Sequence, residues 1–537
     1  MTETSNHPAT KSGAKSEAAR SGTGPGPASA PTMAGAWKSD LVSGFLVFLI
    51  ALPLCLGIAK ASGFPPVAGI VTAVVGGLVT GLFSNSELTI KGPAAGMIAI
   101  VLGAMNDFGY TQGTDAAADL QAYKLVLAVG VAAGAIQILF GLFRAGILGE
   151  FFPMAPVHGL LASIGLIIIS KQIHPMFGVA SPKAGPIGSY LAIPATLASA
   201  ELGIAAIGVT SLAILVYYPM LKKALPVLAP IPAQLVVVVT AIIMGQVLRI
   251  DGGQLITLPA QLQDAIVMPD FSQVFGSTAL KWIAMFALVG TLESMLSAKA
   301  IDLLDPWKRK TNLNRDVLGV GVANTAVAAI GGLPMISEIL RSSANISYGG
   351  RTRLANLFHG VFLVLALLLL AGVVKLIPLA ALGAMLVFAG FRLASPKQFL
   401  HMWRAGKGQF LVFCLTIAFI LPEGHLLDGI GVGILAELVL NFLGGASFGT
   451  LFKPDVQVAS HAGGARLSVA RSLTFTNWVA FRKLVDRLGP IDGATIDLSH
   501  AKYVDRTAHD KLLELRREFD DAGRTLRLEG LPTATAH

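Results

Sequence analysis

The sequence predicts an α-helical polytopic membrane protein, built as seven-plus-seven inverted repeats and followed by a small α/β domain. Three observations predict it. The 537 residues are 54% hydrophobic and only 13% charged, with a mean hydropathy of +0.69, whereas a soluble domain carries about 25% charged residues to cover its surface. Apolar runs recur at about 18–22 residues, the length that crosses a hydrocarbon core of roughly 30 Å. Interrupted apolar segments also fall at corresponding places in the two halves, which is the sequence pointer to a transporter with inverted repeats.

Taken in order, residues 1–36 are rich in Ser, Ala, Gly, Pro and Thr. They are expected to form a disordered N-terminal tail, because such a segment has too little apolar surface to offset its ordering entropy. No cleavable signal peptide is expected, since the first apolar run starts only after Asp40. The transporter domain is expected over 37–450, with a first series of segments at 41–61, 66–83, a half-span 93–105, 123–144, 150–171, 201–221 and 231–248. A second series follows at 280–299, 316–331, a half-span 335–348, 353–374, 377–391, 409–421 and 427–444. The half-spans follow the breaks Gly92-Pro93 and Leu333-Pro334. An odd number of spans per half requires the halves to be inverted, and Ala59-Lys60-Ala61 is faintly echoed by Ala298-Lys299-Ala300. The 59 glycines suit close helix approach in a membrane. Cys55 and Cys414 both lie inside apolar runs, so neither a disulfide framework nor a thiolate metal site is indicated.

Orientation follows from the Lys/Arg bias. With a cytoplasmic N-terminus, the inner loops hold Lys222, Lys223, Lys308, Arg309, Lys310 and Arg315, then Arg351, Arg353, Arg392, Lys397, Arg404 and Lys407. The opposite loops carry Asp107, Asp115, Asp119, Asp251, Asp264 and Asp270. This asymmetry explains much of the net charge of +9 without a nucleic-acid partner. The expectation is a multi-pass protein of the cell inner membrane.

Three places carry candidate chemistry. In Thr89–Met97, Thr89 to Lys91 read as extended and Pro93 suits the first turn of a helix. A helix that begins at mid-membrane aims free N–H groups and partial positive charge at whatever sits there, which suits an anion. The plainer alternative is a Pro-kinked structural helix. In the matching run Gly331–Ser343, Glu338 and Arg341 stand three residues apart and can pair on one helical face. Intramembrane ionisable residues are costly and therefore functional candidates, although a structural ion pair would explain them too. Arg341 would complete an anion cradle between the two half-helices. Third, Glu293 lies near the middle of its span, flanked by Ser294 and Ser297. It is a candidate proton carrier or, with hydroxyl and carbonyl oxygens, a sodium ligand; the alternative is a helix–helix hydrogen bond. Lys60, Lys171 and Lys299 lie near span ends and are expected to snorkel. His158 and His359 are expected to pack structurally, since no metal-ligand spacing accompanies them.

These residues resemble the sulfate permease (SulP) family of anion transporters and exchangers over about 38–530. The marks are Asp40-Leu41-Val42-Ser43-Gly44, Gly92-Pro93-Ala94-Ala95, Gly332-Leu333-Pro334 and Gly350-Arg351-Thr352-Arg353. The resemblance implies a core domain of spans 1–4 and 8–11 moving against a gate domain of spans 5–7 and 12–14, with the anion between the third and tenth spans. It places the anion at Gly92, Pro93, Ala94, Ala95 and Met97 of one half-span, and at Ser337, Arg341 and Ser342 of the other. Many relatives have Thr where this chain has Ala94. Glu293 and Ser297 match an aspartate and a hydroxyl that bind sodium in the family's sodium-dependent bicarbonate transporters, and Glu in place of Asp leaves proton coupling open. Glu338 stands where relatives carry Gly, Ala or Ser, and joins Glu293 and Ser297 as a coupling-ion candidate. Arg341 matches an arginine near the anion in an animal member. The Ser-Glu-Ile-x-Arg-Ser-Ser-Ala-Asn pattern resembles a bacterial subgroup associated with carbonic anhydrase, which tilts the expectation toward bicarbonate over sulfate.

Residues 455–531 read β-α-β-α-β: strand 465–469, helix 478–488, strand 495–498, helix 507–519 and strand 525–528, with a tail at 532–537. They resemble the STAS domain of the same family, with Thr507 placed to cap a helix and a final helix missing. The domain is expected in the cytoplasm, aiding homodimerisation or regulation. No nucleophile elbow, phosphate-binding loop or metal spacing points to an enzyme. No cofactor is expected beyond a proton or Na+ as coupling ion, and the partners are a small inorganic anion and the lipid bilayer. Other readings are a dicarboxylate carrier, a nucleobase:proton symporter using Glu293 and Glu338, and an anion channel.

Overall fold

The computed structural model describes residues 30–531, apart from 145, 147–152, 226–227, 229–230, 260–264, 423, 425, 462–463, 489–492 and 522. Most of the expected N-terminal tail and the tail at 532–537 therefore lie outside the described residues. Helix α1 (Met33–Ala61) starts inside the expected tail, because the Thr32 side chain accepts the Gly35 N–H and caps it there. The first series continues with α2 (Pro66–Leu78), α3 (Thr80–Phe83), strand β1 (Lys91–Pro93), a single 3-10 turn at Ala95–Met97, α4 (Ile98–Asp107), α5 (Ala116–Leu142), α6 (Met154–Met176), two short helices α7 (Pro186–Leu191) and α8 (Ile193–Ala198), α9 (Leu202–Ala224) and α10 (Ala233–Val247). The second comprises α11 (Ser277–Leu304), α12 (Leu313–Ala329), strand β2 (Met335–Ser337), α13 (Ile339–Ser347), α14 (Leu354–Leu369), α15 (Ala371–Val374), α16 (Leu379–Leu393), α17 (Pro396–Ala405), α18 (Lys407–Ile420) and α19 (Leu426–Leu443). Helices α7, α8 and α17 are additions to the expected segments; α7, α8 and α17 each carry Pro in the first turn, where its missing N–H costs nothing.

The helices form two packs. In one, α1, α2, α5, α11, α12 and α14 contact one another around β1 and β2; in the other, α6 packs on α16, α18 and α19, and α9 on α10 and α16. Close approach inside the first pack requires glycine: a Cβ on Gly77 of α2 would lie 2.6 Å from the Gly360 Cα of α14. The Asp40 and Arg351 motifs prove to be two ends of one clamp. The buried Asp40 carboxylate accepts the N–H groups of Arg351 (2.6 Å) and Thr352 (3.1 Å) and the Thr352 hydroxyl. One turn on, Ser43 donates to the Asn345 side chain at 2.7 Å. A carboxylate with three donors is stable away from water, so this clamp fixes the start of α1 against the end of α13.

Strands β1 and β2 pair antiparallel, Lys91 opposite Ser337 and Pro93 opposite Met335. This moves both half-helices. Pro93 closes a strand instead of opening a helix, and α13 begins at Ile339, several residues later than expected. Proline is tolerated because the two-stranded sheet consists only of edges.

Beyond the last span, β3 (Val456–His461), β4 (Gly464–Val469), β5 (Ser472–Leu473), α20 (Phe475–Arg487), β6 (Gly493–Asp497), β7 (Tyr503–Val504), α21 (Arg506–Asp521) and β8 (Thr525–Glu529) form an α/β domain. Its main sheet runs β3-β4-β6-β8, with β3 antiparallel to β4 and the rest parallel, over a core that includes Leu467, Trp478, Phe481 and Ile496. Asp505, not Thr507, caps α21: its carboxylate accepts the Ala508 N–H at 2.7 Å. Thr507 is the second residue of α21, fully buried, and its hydroxyl accepts the Met154 N–H of α6 at 3.3 Å.

Candidate functional site

The β1–β2 sheet sets where each half-helix starts, and it is held from both sides. Asn324 of α12 brackets Met335, accepting its N–H (2.7 Å) and donating to its carbonyl (3.1 Å), while donating also to Gln137 of α5 at 2.7 Å. Lys91 is 1% exposed, and its ammonium meets Asp316 of α12 at 2.7 Å and the Ser337 hydroxyl. Asp316 also accepts the Ser84 hydroxyl. The sequence reading passed over this pair. Its signal was an ionisable residue directly before Gly92-Pro93 in a run placed at membrane depth, but the partner is 225 residues away.

Past the strands, the two half-helix ends each meet a carboxylate of the protein itself. At α4, the Glu293 carboxylate of α11 presses on Gly96: a Cβ there would sit 2.3 Å from one carboxylate oxygen and 2.6 Å from the other. Glu293 is 7% exposed, and its Oε1 has no hydrogen-bond partner among the described residues. Ser297 is buried one turn further along α11, while Ser294 accepts the Ser337 N–H at 3.1 Å. At α13, Glu338 is the N-cap residue, accepting the Arg341 N–H at 2.8 Å. The expected i,i+3 ion pair is present in a looser form, Arg341 Nε standing 3.5 Å from Glu338.

Arg341 is fully buried and reaches across to the other half-span. Its guanidinium donates to the Pro93 carbonyl and lies 3.5 Å from Cys55 of α1, and a Cβ on Gly92 would fall 2.6 Å from Nη1. Gly92, Pro93, Glu338 and Arg341 are thus gathered at one junction, with Gly96 and Glu293 at the adjoining helix end. Ala94 and Met97 are buried beside them, and Ala95 is half-buried. The hydroxyls of Ser337 and Ser342 are committed to structure: Ser342 donates to the Glu338 carbonyl at 2.6 Å and accepts the Ile90 N–H at 2.8 Å. Among the described residues no group of three or more His, Cys, Asp and Glu side chains could hold a metal.

Two of the expected snorkelling lysines do something else. Lys171 donates to the carbonyls of Pro182 (2.8 Å) and Ala184 (2.6 Å), and Lys299 faces Glu514 of the α/β domain at 3.7 Å. Backbone acceptors hold the Lys171 ammonium and a carboxylate of the α/β domain faces that of Lys299, so each head has a protein partner as well as water. His158 contacts Gln398, whereas both ring nitrogens of the buried His359 lack partners among the described residues.

Residues 37–416 match the sequence pattern of the sulfate permease family. The bicarbonate transporter BicA of Picosynechococcus is 26% identical over 417 residues, 75% of this chain and 70% of the relative. Among solved structures, the transmembrane domain of a cyanobacterial BicA aligns with a TM-score of 0.62 at 24% identity, covering 74% of this chain and 97% of that one. The murine Slc26a9 anion transporter in its inward-facing state aligns with a TM-score of 0.68 at 17% identity, covering 93% and 86%.

Proposed function

The chain belongs to the sulfate permease family, and from that premise we propose that it is a secondary active transporter that carries a small oxyanion together with a proton. The observation that carries this reading is the occupation of both half-helix N-termini by carboxylates, Glu293 over Gly96 and Glu338 on the Arg341 N–H. A helix N-terminus attracts an anion through its free N–H groups and partial charge. With two carboxylates and one guanidinium already there, a further negative charge would add to an excess of the same sign in a low-dielectric setting, where repulsion is strong. The charge must be offset when the anion enters. Protonation of Glu293 does that, since among the described residues Glu293 has no cationic partner and one unpartnered oxygen, whereas Glu338 keeps Arg341.

Movement then follows from the two packs. The junction lies on β1, α4, α11 and α13, where α4 and the turn before it border α6 and α16, so sliding the first pack with these elements along α6 and α16 would carry a bound anion from one side to the other in an elevator-like cycle. Bicarbonate and sulfate are the favoured cargoes. The BicA relative is named for bicarbonate and the family for sulfate. A sodium ion in place of the proton needs several oxygen ligands around Glu293, and Ser297 is the nearest candidate on α11. The test is uptake of labelled bicarbonate, sulfate and succinate into proteoliposomes with an imposed proton gradient and, separately, a sodium gradient. Accumulation driven by protons supports the reading. Accumulation driven by sodium alone overturns the choice of coupling ion, and uptake of none of the three overturns the transport assignment.

A further inference from the structure

At the end of the helical bundle opposite the α/β domain, a cavity of about 300 Å³ opens between the two packs. Lys60, from the last turn of α1, and Lys171, from α6, face it from opposite sides. Tyr110, Gln112, Gln172, Ser181 and Gln254 complete its polar wall, and no Asp or Glu among the described residues lines it. Lys171 is held in place by two neutral carbonyls, and no carboxylate pairs with it among the described residues. Lys60 is exposed. The floor includes Gly57, Leu102 and Leu382. Leu102 follows Gly96 by six residues, which puts the floor roughly 9 Å from the half-helix junction at 1.5 Å per residue.

We infer that this cavity is a second anion site, an antechamber that takes a small oxyanion or dicarboxylate before it reaches the junction. This rests on the transport reading and adds where the anion first binds. Two ammonium groups and the side chains of Tyr110, Gln112 and Gln172, with no acid among the described residues, form a wall suited to a polyatomic anion, and Ser181 and Gln254 brace it by donating to the Lys171 and Gly178 carbonyls. A concave, low-dielectric opening with one sign of charge raises the local concentration of the opposite sign. The loops on this side carry both acids such as Asp115, Asp119 and Asp251 and bases such as Lys183, Arg249 and Lys375, whereas Lys60 and Lys171 are the charged side chains among the described residues that line the cavity. Because the lysines belong to different packs, a sliding motion takes the site apart and releases its occupant.

The experiment uses the purified full-length protein in lipid nanodiscs. Modification of Lys60 by an amine-reactive reagent is followed by mass spectrometry with sulfate, succinate or chloride at matched ionic strength. Saturable protection by sulfate or succinate, and none by chloride, is expected, and it should persist in Arg341→Ala because the antechamber does not use that residue. Equal protection by all three salts, or none, overturns the inference. In proteoliposomes, Lys60→Gln and Lys60→Glu should raise KM in that order, by about 3-fold and 10-fold at low salt, with kcat retained and the difference fading at high salt. An unchanged KM overturns the antechamber while leaving the transport reading intact. Protection of Lys60 without uptake of any tested anion does the reverse. Lys171→Arg, which keeps the charge, should behave as wild type if the loop at Pro182 and Ala184 is unaltered; a raised KM in this variant assigns the effect to loop position and counts against the charge argument.

Discussion

Glu338→Gln is the most discriminating perturbation of the junction, because the two available readings give opposite signs. The Glu338 carboxylate accepts the Arg341 N–H at 2.8 Å and lies 3.5 Å from the Arg341 guanidinium, with its side chain 16% exposed. Hydrogen bonds to a charged group contribute about 1.5–3 kcal/mol and neutral ones about 1 kcal/mol. Glutamine keeps the capping oxygen and loses only the charge, so the difference is about 1–1.5 kcal/mol, or roughly tenfold in an equilibrium constant. If Glu338 competes with the transported anion for the end of α13, the variant binds that anion about tenfold more tightly. If Glu338 instead carries the coupling cation, removing its charge weakens uptake without tightening binding. Calorimetric titration of the purified variant with sulfate and bicarbonate at fixed pH separates the two, with thermal unfolding as a check that the fold is kept. Unchanged or weaker binding would refute the competition argument.

Arg341→Ala should abolish anion binding at the junction, and it leaves the Glu338 charge without its cation at a cost of about 3–5 kcal/mol; a folded variant that still takes up anion as wild type does would remove the arginine from the site. Glu293→Gln, which mimics the protonated carboxyl, should keep anion binding but lose accumulation driven by a proton gradient, and a variant that accumulates as well as wild type would make Glu293 structural. Burial pushes the Asp505 carboxyl up from 3.8 to about 6, so the folded state holds that proton more tightly than the unfolded chain does. The stability of the α/β domain should then fall as pH rises from about 4 to about 6 and level off above, measured by denaturant unfolding of the full chain. A stability that rises across this window counts against burial as the dominant influence on Asp505.

The segmentation into spans was legible because hydrophobic length is a one-dimensional property, and the breaks at Gly92-Pro93 and Leu333-Pro334 are visible without any partner. What local reasoning misplaced depends on partners. Pro93 reads as a helix start because of its own geometry, yet Met335, 242 positions on, recruits it into a strand. Lys91 is invisible as an ion-pair member until Asp316 is brought beside it, and the Asp40 motif reads as a span entry until Arg351 and Thr352 supply its donors. In the α/β domain the competition was between neighbours. Both Asp505 and Thr507 are good caps, and Asp505 prevails because its second oxygen also accepts from Phe475 (2.7 Å) and from Asn441 (3.0 Å), ties that lie outside the helix itself. Glu293 and Glu338 stood out in the sequence because carboxylates are rare at that depth. Their opposition to the two helix ends was not legible, because it depends on how α11 crosses α4 and on where α13 begins.

The α/β domain touches both packs, and the strengths of the contacts differ. Toward the first pack, Lys299 of α11 and Glu514 of α21 stand 3.7 Å apart with side chains 27% and 46% exposed, and an exposed pair of that kind contributes about 0–1 kcal/mol. Toward the second, Asn441 of α19 donates to the buried Asp505 carboxylate and accepts from the Tyr503 hydroxyl at 3.1 Å, while the Met154 N–H meets Thr507. These groups are shielded from water, so separating them leaves polar atoms unpaired at about 1–3 kcal/mol each. If the first pack slides past α6 as proposed, the contact that gives way is the one on α11. On that motion the domain would stay with α6 and α19, its link to the helix that carries Glu293 being the weaker, salt-sensitive one.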